Sequence, residues 1–371
     1  MDIQFLSKTL IRGYGTTEMR CVQPSTYLRN KSWDVGYGCI YRSLPKAKKI
    51  IVFHRTSLDS HTKKYLKYAK AKGLITIYDI DDLLFSRDLL KSSNEAKAYL
   101  SMMKACDVVL VSTSFLQKEA ELFHSDVRVV KNGLSQDFLE KANSTLKTKQ
   151  NNKPITIAYL SGSIHHDYDF KIVEKDLLRI LNDTPEVRVL IMGKIRFSDS
   201  FYQFNKQFQY HEFVSYSDFW QIFNEIDINI APLDILAPFS QARSELKYIE
   251  AGLFGIPTIA SPTGTYCETI KNGVNGLLVE DGHWYEAIKH LASDESLRKT
   301  MGENARIDVL ENYSPEIRSN QWNELITSIM KKYGENSPTG HLKAGIPYMK
   351  VLYVWLKRWI KIKRSFLNNR I

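Results

Sequence analysis

Cysteine is scarce in this chain. The four present, Cys21, Cys39, Cys106 and Cys267, stand far apart and form no metal-ligand spacing. That pattern excludes a disulfide framework and fits buried or semi-exposed thiols in a reducing compartment. No run reaches the ~18 apolar residues of a membrane-spanning helix. The opening MDIQFLSKTLIRG lacks the long apolar segment and small-residue cleavage site of a secretory signal, so a cytosolic protein, or one attached to the cytosolic face of a membrane, is expected. There is no short internal repeat, which argues against a solenoid. Acidic residues are absent from His341 to Ile371, where eight lysines and arginines stand. That tail carries most of the net charge of +10, leaving the rest nearly balanced, so a general nucleic-acid-binding surface is not expected.

What is present is an ordinary globular composition, 43% hydrophobic and 25% charged over 371 residues, enough for two domains with separate cores. Apolar runs alternate with helical periodicity. In the first half, strands are expected at 3–6, 49–54, 74–79, 107–112 and 127–130, with helices at 18–29, 61–72, 95–105 and 114–122 between them. Residues 140–154, EKANSTLKTKQNNKP, are polar and read as a linker. The pattern then restarts with strands at 155–160, 187–192, 227–233 and 258–260. Ser314-Pro315 opens a last long helix, with serine at the cap and proline in the first turn. Strand–helix alternation implies parallel sheets covered on both faces: an α/β protein of two Rossmann-like domains facing a central cleft. The expected division is 1–145, 146–330 and a basic tail, 331–371.

The stretch from Ala231 to Ser261 organises the second half. It reads as strand, loop, helix, turn and strand. Ser240 or Ser244 offers a helix cap, and Arg243, Lys247 and Glu250 fall at i, i+4 and i+7 on one face. Leu246, Ile249 and Leu253 form the packing face. Gly255 and Pro257 end the helix. Such a unit aims a helix start, a lysine and a carboxylate at one point beside a sheet, which suits a phosphorylated ligand. Gly162 and Ser163 follow the first strand of this half, where a glycine lets backbone N–H groups approach a diphosphate, though such a glycine can also be a simple turn. Lys194 follows the next strand and is either a phosphate ligand or a solvated lysine. His165, His166 and Asp167 come next to Gly162-Ser163. Adjacent residues rarely share one metal, so they read as donor-site or helix-cap groups and no metal is expected.

In the first half, Tyr78-Asp79-Ile80-Asp81-Asp82 places three carboxylates at the end of a strand. They are either an acidic helix start or a catalytic cluster, and three acids exceed what capping needs. In the tail, Lys350, Lys357, Lys361 and Arg364 form one stripe, and Tyr348, Leu352, Trp355, Trp359, Ile362 and Phe366 the opposite one. This is the pattern of an amphipathic helix lying in a membrane interface, or of one packed on a protein surface. Lys63, Lys64, Lys67 and Lys70 offer a second anionic-surface contact.

The stretch from Ser244 to Arg306, beginning SELKYIEAGLFGIPTIAS, together with YLSGSIHHDYDF and DINIAPL, resembles the family-4 retaining glycosyltransferases of the GT-B fold, particularly bacterial members that build O-antigen and other surface polysaccharides. IVFHR, GLITIYDIDDLLF and VVKNGL carry a looser likeness in the first half. The resemblance implies transfer of a sugar from a nucleotide-sugar to a saccharide acceptor, lipid-linked in this subgroup, with retention and without metal or cofactor. It implies that Glu250 holds the donor ribose, and that Lys247, Lys194 and the backbone after Gly162 lie near the diphosphate, with Arg243, Ser244 and Glu245 in the same donor segment. Tyr78-Asp79 would occupy the place where many relatives carry a catalytic histidine or His-Asp pair, and Asp79, Asp81 and Asp82 are the catalytic candidates. Pathway partners would be other glycosyltransferases, with an anionic membrane under residues 342–371. One departure stands out: the first acid of the family's Glu-x7-Glu motif is here Ala242. A nucleotide-sugar epimerase of the same architecture, or a non-catalytic subunit of an assembly complex, are the alternatives.

Overall fold

A computed structural model describes residues 1–8, 15–43, 45–146, 154–161, 167–212, 214 and 216–334. Two six-stranded sheets, every pairing parallel, form its frame. The first sheet has the order β2-β1-β3-β4-β5-β6, from β1 (Ile3–Ser7), β2 (Val35–Cys39), β3 (Ile50–His54), β4 (Ile75–Ile80), β5 (Val108–Val111) and β6 (Val127–Val129). The second has the order β12-β11-β10-β7-β8-β9, from β7 (Ile155–Leu160), β8 (Val187–Met192), β9 (Phe208–His211), β10 (Ile228–Ala231), β11 (Thr258–Ala260) and β12 (Gly276–Leu278). Both are doubly wound, so their carboxyl ends gather the loops that bind ligands. This is the GT-B arrangement expected from the sequence.

Strand alternation explains how each sheet is covered. Ile51, Phe53, Tyr78, Val109 and Val111 enter the core on one face of the first sheet, and Ile50, Val52, Ile77, Val108 and Leu110 the core on the other. In the second sheet Ile157, Tyr159, Val189 and Ile191 face one core, and Ala158, Leu160, Leu190 and Met192 the opposite one. Parallel strands buried on both faces read as continuous apolar runs, as these do.

The helices are α1 (Gln23–Arg29), α2 (Ser60–Ala71), α3 (Asn94–Ala105), α4 (Ser114–Glu121), α5 (Gln136–Leu146), α6 (Asp167–Asp183), α7 (Leu246–Leu253), α8 (Trp284–Ser293), α9 (Glu295–Tyr313) and α10 (Pro315–Gly334), besides shorter turns. Asp59 caps α2 through the backbone N–H groups of His61 and Thr62, at 2.8 and 2.9 Å, and Thr113 caps α4. The chain crosses twice between the sheets. Phe138 and Ala142 of α5 pack into the second sheet's core, while Trp322, Ile326 and Ile329 of α10 return to the first, Trp322 meeting Phe5 edge-on at 5.9 Å.

Several expectations need correction. Residues 140–146 of the polar stretch are not linker but the end of α5; its buried face, carried by Phe138 and Ala142, begins before the polar run. β2 and β9 are additional strands, the first glycine-rich (VGYGC) and the second short, so neither shows a clear apolar run. α7 starts at Leu246, with Glu245 at its cap and no side-chain cap. Ser240 belongs to a separate short turn, Pro238–Gln241, and Ser244 bonds elsewhere. The basic tail at 335–371 lies outside the described residues. Among those described, no helix is long and apolar enough to cross a membrane.

Candidate active site

α7 follows β10, so its first turn lies at the carboxyl edge of the second sheet. Its place is fixed by Asn229 of β10, buried at 1% exposure. The Asn229 amide donates to the Lys247 carbonyl at 3.1 Å and to Thr258 Oγ1 at 3.0 Å, tying helix to sheet. Sequence reading passed over Asn229; a lone polar residue in the run Ile228-Asn229-Ile230 was the available signal.

Lys247 Nζ lies 4.1 Å from the centre of the Tyr159 ring and, among the described residues, has no hydrogen-bond partner. Its pKa is lowered to about 7, chiefly by burial and also by Arg243, against the attraction of Asp169 and Glu250. Glu250, one turn on, is raised to about 8 by burial, which Lys247 only partly offsets. A desolvated lysine with no acceptor and a desolvated carboxylate beside it are poised for a ligand that carries both negative charge and hydroxyls.

Arg243 precedes the helix rather than sharing its face. Its Nη2 lies 3.8 Å from Asp169, in the first turn of α6, and the guanidinium covers the Phe239 ring at 5.0 Å. Gly193 ends β8 with a φ of +114°, and a Cβ there would stand 1.9 Å from the Ser161 carbonyl oxygen. Only glycine fits this close approach. Lys194 behind it is exposed. Gly162, Ser163, His165 and His166 lie outside the described residues. Among those described, no group of His, Cys, Asp and Glu side chains is arranged to hold a metal ion.

Across the cleft, the carboxylates after β4 have separate surroundings. Asp79 is fully enclosed. Arg20 reaches it with Nη2 2.5 Å from Oδ1 and Nε 3.2 Å from both oxygens, and His54 Nδ1 lies 2.8 Å from Oδ2. Burial alone would raise its pKa; Arg20 and His54 override this and hold it at about 2. With no exposed surface and both oxygens engaged, Asp79 presents no free face in this structure. It instead fixes His54, whose Nε2 lies 3.2 Å from the half-buried Thr16 hydroxyl. Arg20 stands on a π-helical turn, Glu18–Val22, and was not foreseen, because nothing in the sequence marks that turn.

Asp81 pairs with Arg55 Nε, and Asp82 lies 3.2 Å from Arg55 Nη2. Arg55 has a φ of +45°, unusual for a residue with a side chain and a mark of local strain. Asp81 is almost enclosed, whereas Asp82 keeps 22% of its side chain exposed. Burial raises the Asp82 pKa and Asp81 adds to the rise, while Arg55 and, from across the cleft, Arg243 oppose it. Asp82 thus keeps the most accessible surface of the three, and its own titration is moved upward.

Ser244, Glu245 and Ala242 look the other way, to the seam between the sheets. Asn132 Nδ2 donates to Ser244 Oγ at 3.0 Å. Glu245 Oε1 accepts from the Tyr313 hydroxyl at 2.8 Å and lies 3.4 Å from Lys131 Nζ. Ala242 is 1% exposed and joins the apolar cluster of the first sheet.

Residues 140–308 match the family described as Glycosyl transferases group 1. The capsular polysaccharide biosynthesis glycosyltransferase CapM of Staphylococcus aureus is 26% identical over 249 residues, which are 61% of this chain and 62% of that protein. The chain therefore spans less than two thirds of that relative. Among solved structures, Anabaena Alr3699/HepE in complex with UDP-glucose superposes with a TM-score of 0.59 at 15% identity, covering 88% of this chain and all of that one. WaaG, a glycosyltransferase involved in lipopolysaccharide biosynthesis, gives 0.61 at 10% identity, covering 87% and 99%. At such identities the structural likeness speaks for the fold.

Proposed function

We propose that the chain, whose residues 140–308 match the glycosyl transferases group 1 family, is a retaining, nucleotide-sugar-dependent member of that family and transfers a sugar to a lipid-linked saccharide in cell-surface polysaccharide synthesis. The observation that carries the donor side is Lys247: its Nζ is buried and has no hydrogen-bond partner among the described residues, and it lies one turn from a protonatable Glu250. A diphosphate supplies the anion Lys247 lacks, and ribose hydroxyls supply the donors Glu250 can accept. Arg243, Lys194 and the backbone at Gly162, Ser163 and His165 complete the donor set. Positive charge at the diphosphate stabilises the leaving group as the glycosidic bond breaks. On the acceptor side, Asp82 orients the attacking hydroxyl and takes its proton. No metal or cofactor is assigned a part. The acceptor, by analogy with capsule and lipopolysaccharide relatives, comes from the membrane, and the basic tail at 342–371 holds the enzyme at the cytosolic surface.

A thermal-shift series with UDP, GDP, ADP and their sugar conjugates tests the donor assignment. One nucleotide and its conjugate are expected to raise the melting temperature of the native chain, and to raise it less in Glu250→Gln. No shift with any of them overturns the reading. Conversion of the nucleotide-sugar to an epimer without acceptor would replace transfer by epimerisation.

A further inference from the structure

Resting on that donor reading, we propose that Ala242, Ser244 and Asn132 are positioning residues that latch the two sheets together, so that the start of the donor helix is set by the acceptor-side domain. The segment 242–245 is held from the first domain at three points, while Arg243 and the Tyr313 contact of Glu245 stay with the second domain. Thr113 Oγ1 donates to the Ala242 carbonyl at 3.4 Å, Asn132 donates to Ser244, and Lys131 pairs with Glu245. Between these, the Ala242 methyl is buried in the cluster of Leu6, Tyr78, Leu83 and Leu116. The position where the family resemblance leads one to expect an acid is thus an apolar peg seated in the opposite domain. A carboxylate there would be buried without a partner.

The latch reaches the buried carboxylate. Arg20 Nη1 donates to the Val130 carbonyl at 2.5 Å and approaches Asn132 Oδ1 at 3.3 Å, while its Nη2 and Nε hold Asp79. A guanidinium only donates, so Oδ1 must face Arg20 and Nδ2 must face Ser244. The orientation of the Asn132 amide is therefore set from the acceptor side, and Ser244 accepts while keeping its own O–H as a donor. Asn132 stands where the chain first crosses between the sheets. Gly133 beside it has no room for a side chain, since a Cβ would lie 2.4 Å from Arg318 Cγ. One chain of contacts thus joins the donor helix to the Asp79–His54 pair.

The test is X-ray scattering on the full chain without ligand and with saturating UDP, GDP or ADP. Ala242→Glu, Asn132→Ala and Ser244→Ala are expected to give a larger radius of gyration than the native chain without ligand, and Ala242→Gly to match it. In a transfer assay the first three are expected to lower kcat about tenfold with little change in donor KM. Circular dichroism establishes that each variant is folded, and Asn132→Ala and Ser244→Ala keep the test open if Ala242→Glu does not fold. Radii equal to native for Asn132→Ala and Ser244→Ala overturn the latch. So does a gain in nucleotide-sugar affinity in Ala242→Glu, which would mark position 242 as a vacated sugar contact. Scattering without ligand decides the latch, whereas failure of every diphosphate to bind the native chain falls on the donor reading alone.

Discussion

Arg20 and Asp79 form an ion pair with no access to water: their side chains are 1% and 0% exposed and meet at 2.5 Å. Leaving a buried charge without its partner costs about 3–5 kcal/mol. Arg20→Leu is therefore expected to destabilise the first domain by that order, measured as a fall in the urea midpoint. The same substitution changes the acid limb. The folded-state pKa of Asp79 is depressed to about 2, so its contribution is complete above the ordinary carboxylate pKa of about 4 and disappears as pH falls through 2. Arg20→Leu should lose much of that limb. Equal loss of stability from pH 4 to 2 in both proteins would show that Arg20 does not hold Asp79 charged.

Most strands were legible because they are continuous apolar runs, which β2 and β9 are not, and the donor helix because Leu246, Ile249 and Leu253 mark its buried face. The acidic cluster was legible as a cluster but not in its division of labour. Asp79, Asp81 and Asp82 are alike in sequence. Their difference comes from Arg20, 59 residues from Asp79, and from Arg55, which follows the neighbouring strand β3. Ser244 looked like a helix cap because local sequence cannot show Asn132, 112 residues distant, which takes its oxygen. Ala242 looked like a missing ligand for the same reason. Its environment is built by the other domain.

Gly193 gives a prediction about the donor loop. Gly193→Ala combines a φ of +114° with a Cβ 1.9 Å from the Ser161 carbonyl. The left-handed conformation alone costs of order 1–3 kcal/mol, and the clash forces β7 and β8 apart where Lys194 and Gly162 would meet a diphosphate. The expected outcome is a lower melting temperature and weaker nucleotide binding by calorimetry. Native affinity in a destabilised Gly193→Ala would remove this turn from the donor site.

Membrane attachment is tested by sedimentation with liposomes. Each lysine or arginine near an anionic surface contributes about 1 kcal/mol, screened by salt. Deleting residues 342–371 is expected to abolish most binding to phosphatidylglycerol vesicles. Lys63, Lys67 and Lys70, exposed along α2, should support a weaker, more salt-sensitive remainder. Unchanged binding after the deletion would assign the tail to a protein partner instead.

Lys247 and Glu250 make donor binding a proton-coupled event. Burial moves their titrations in opposite directions, to about 7 and about 8. At pH 8, in the free protein, most of Lys247 is neutral and about half of Glu250 is protonated. A diphosphate beside Nζ favours the charged lysine and draws a proton on. Ribose hydroxyls donating to Glu250 favour the carboxylate and drive a proton off. Uptake by the larger neutral fraction of Lys247 exceeds release from Glu250, so the native chain should take up a net fraction of a proton. Lys247→Met leaves only the release, and the sign reverses. Glu250→Gln leaves only the uptake, and the net value grows. Calorimetric titrations in Tris and in HEPES, whose ionisation enthalpies differ, read the proton count directly. A count unaffected by either substitution would place neither side chain at the bound nucleotide.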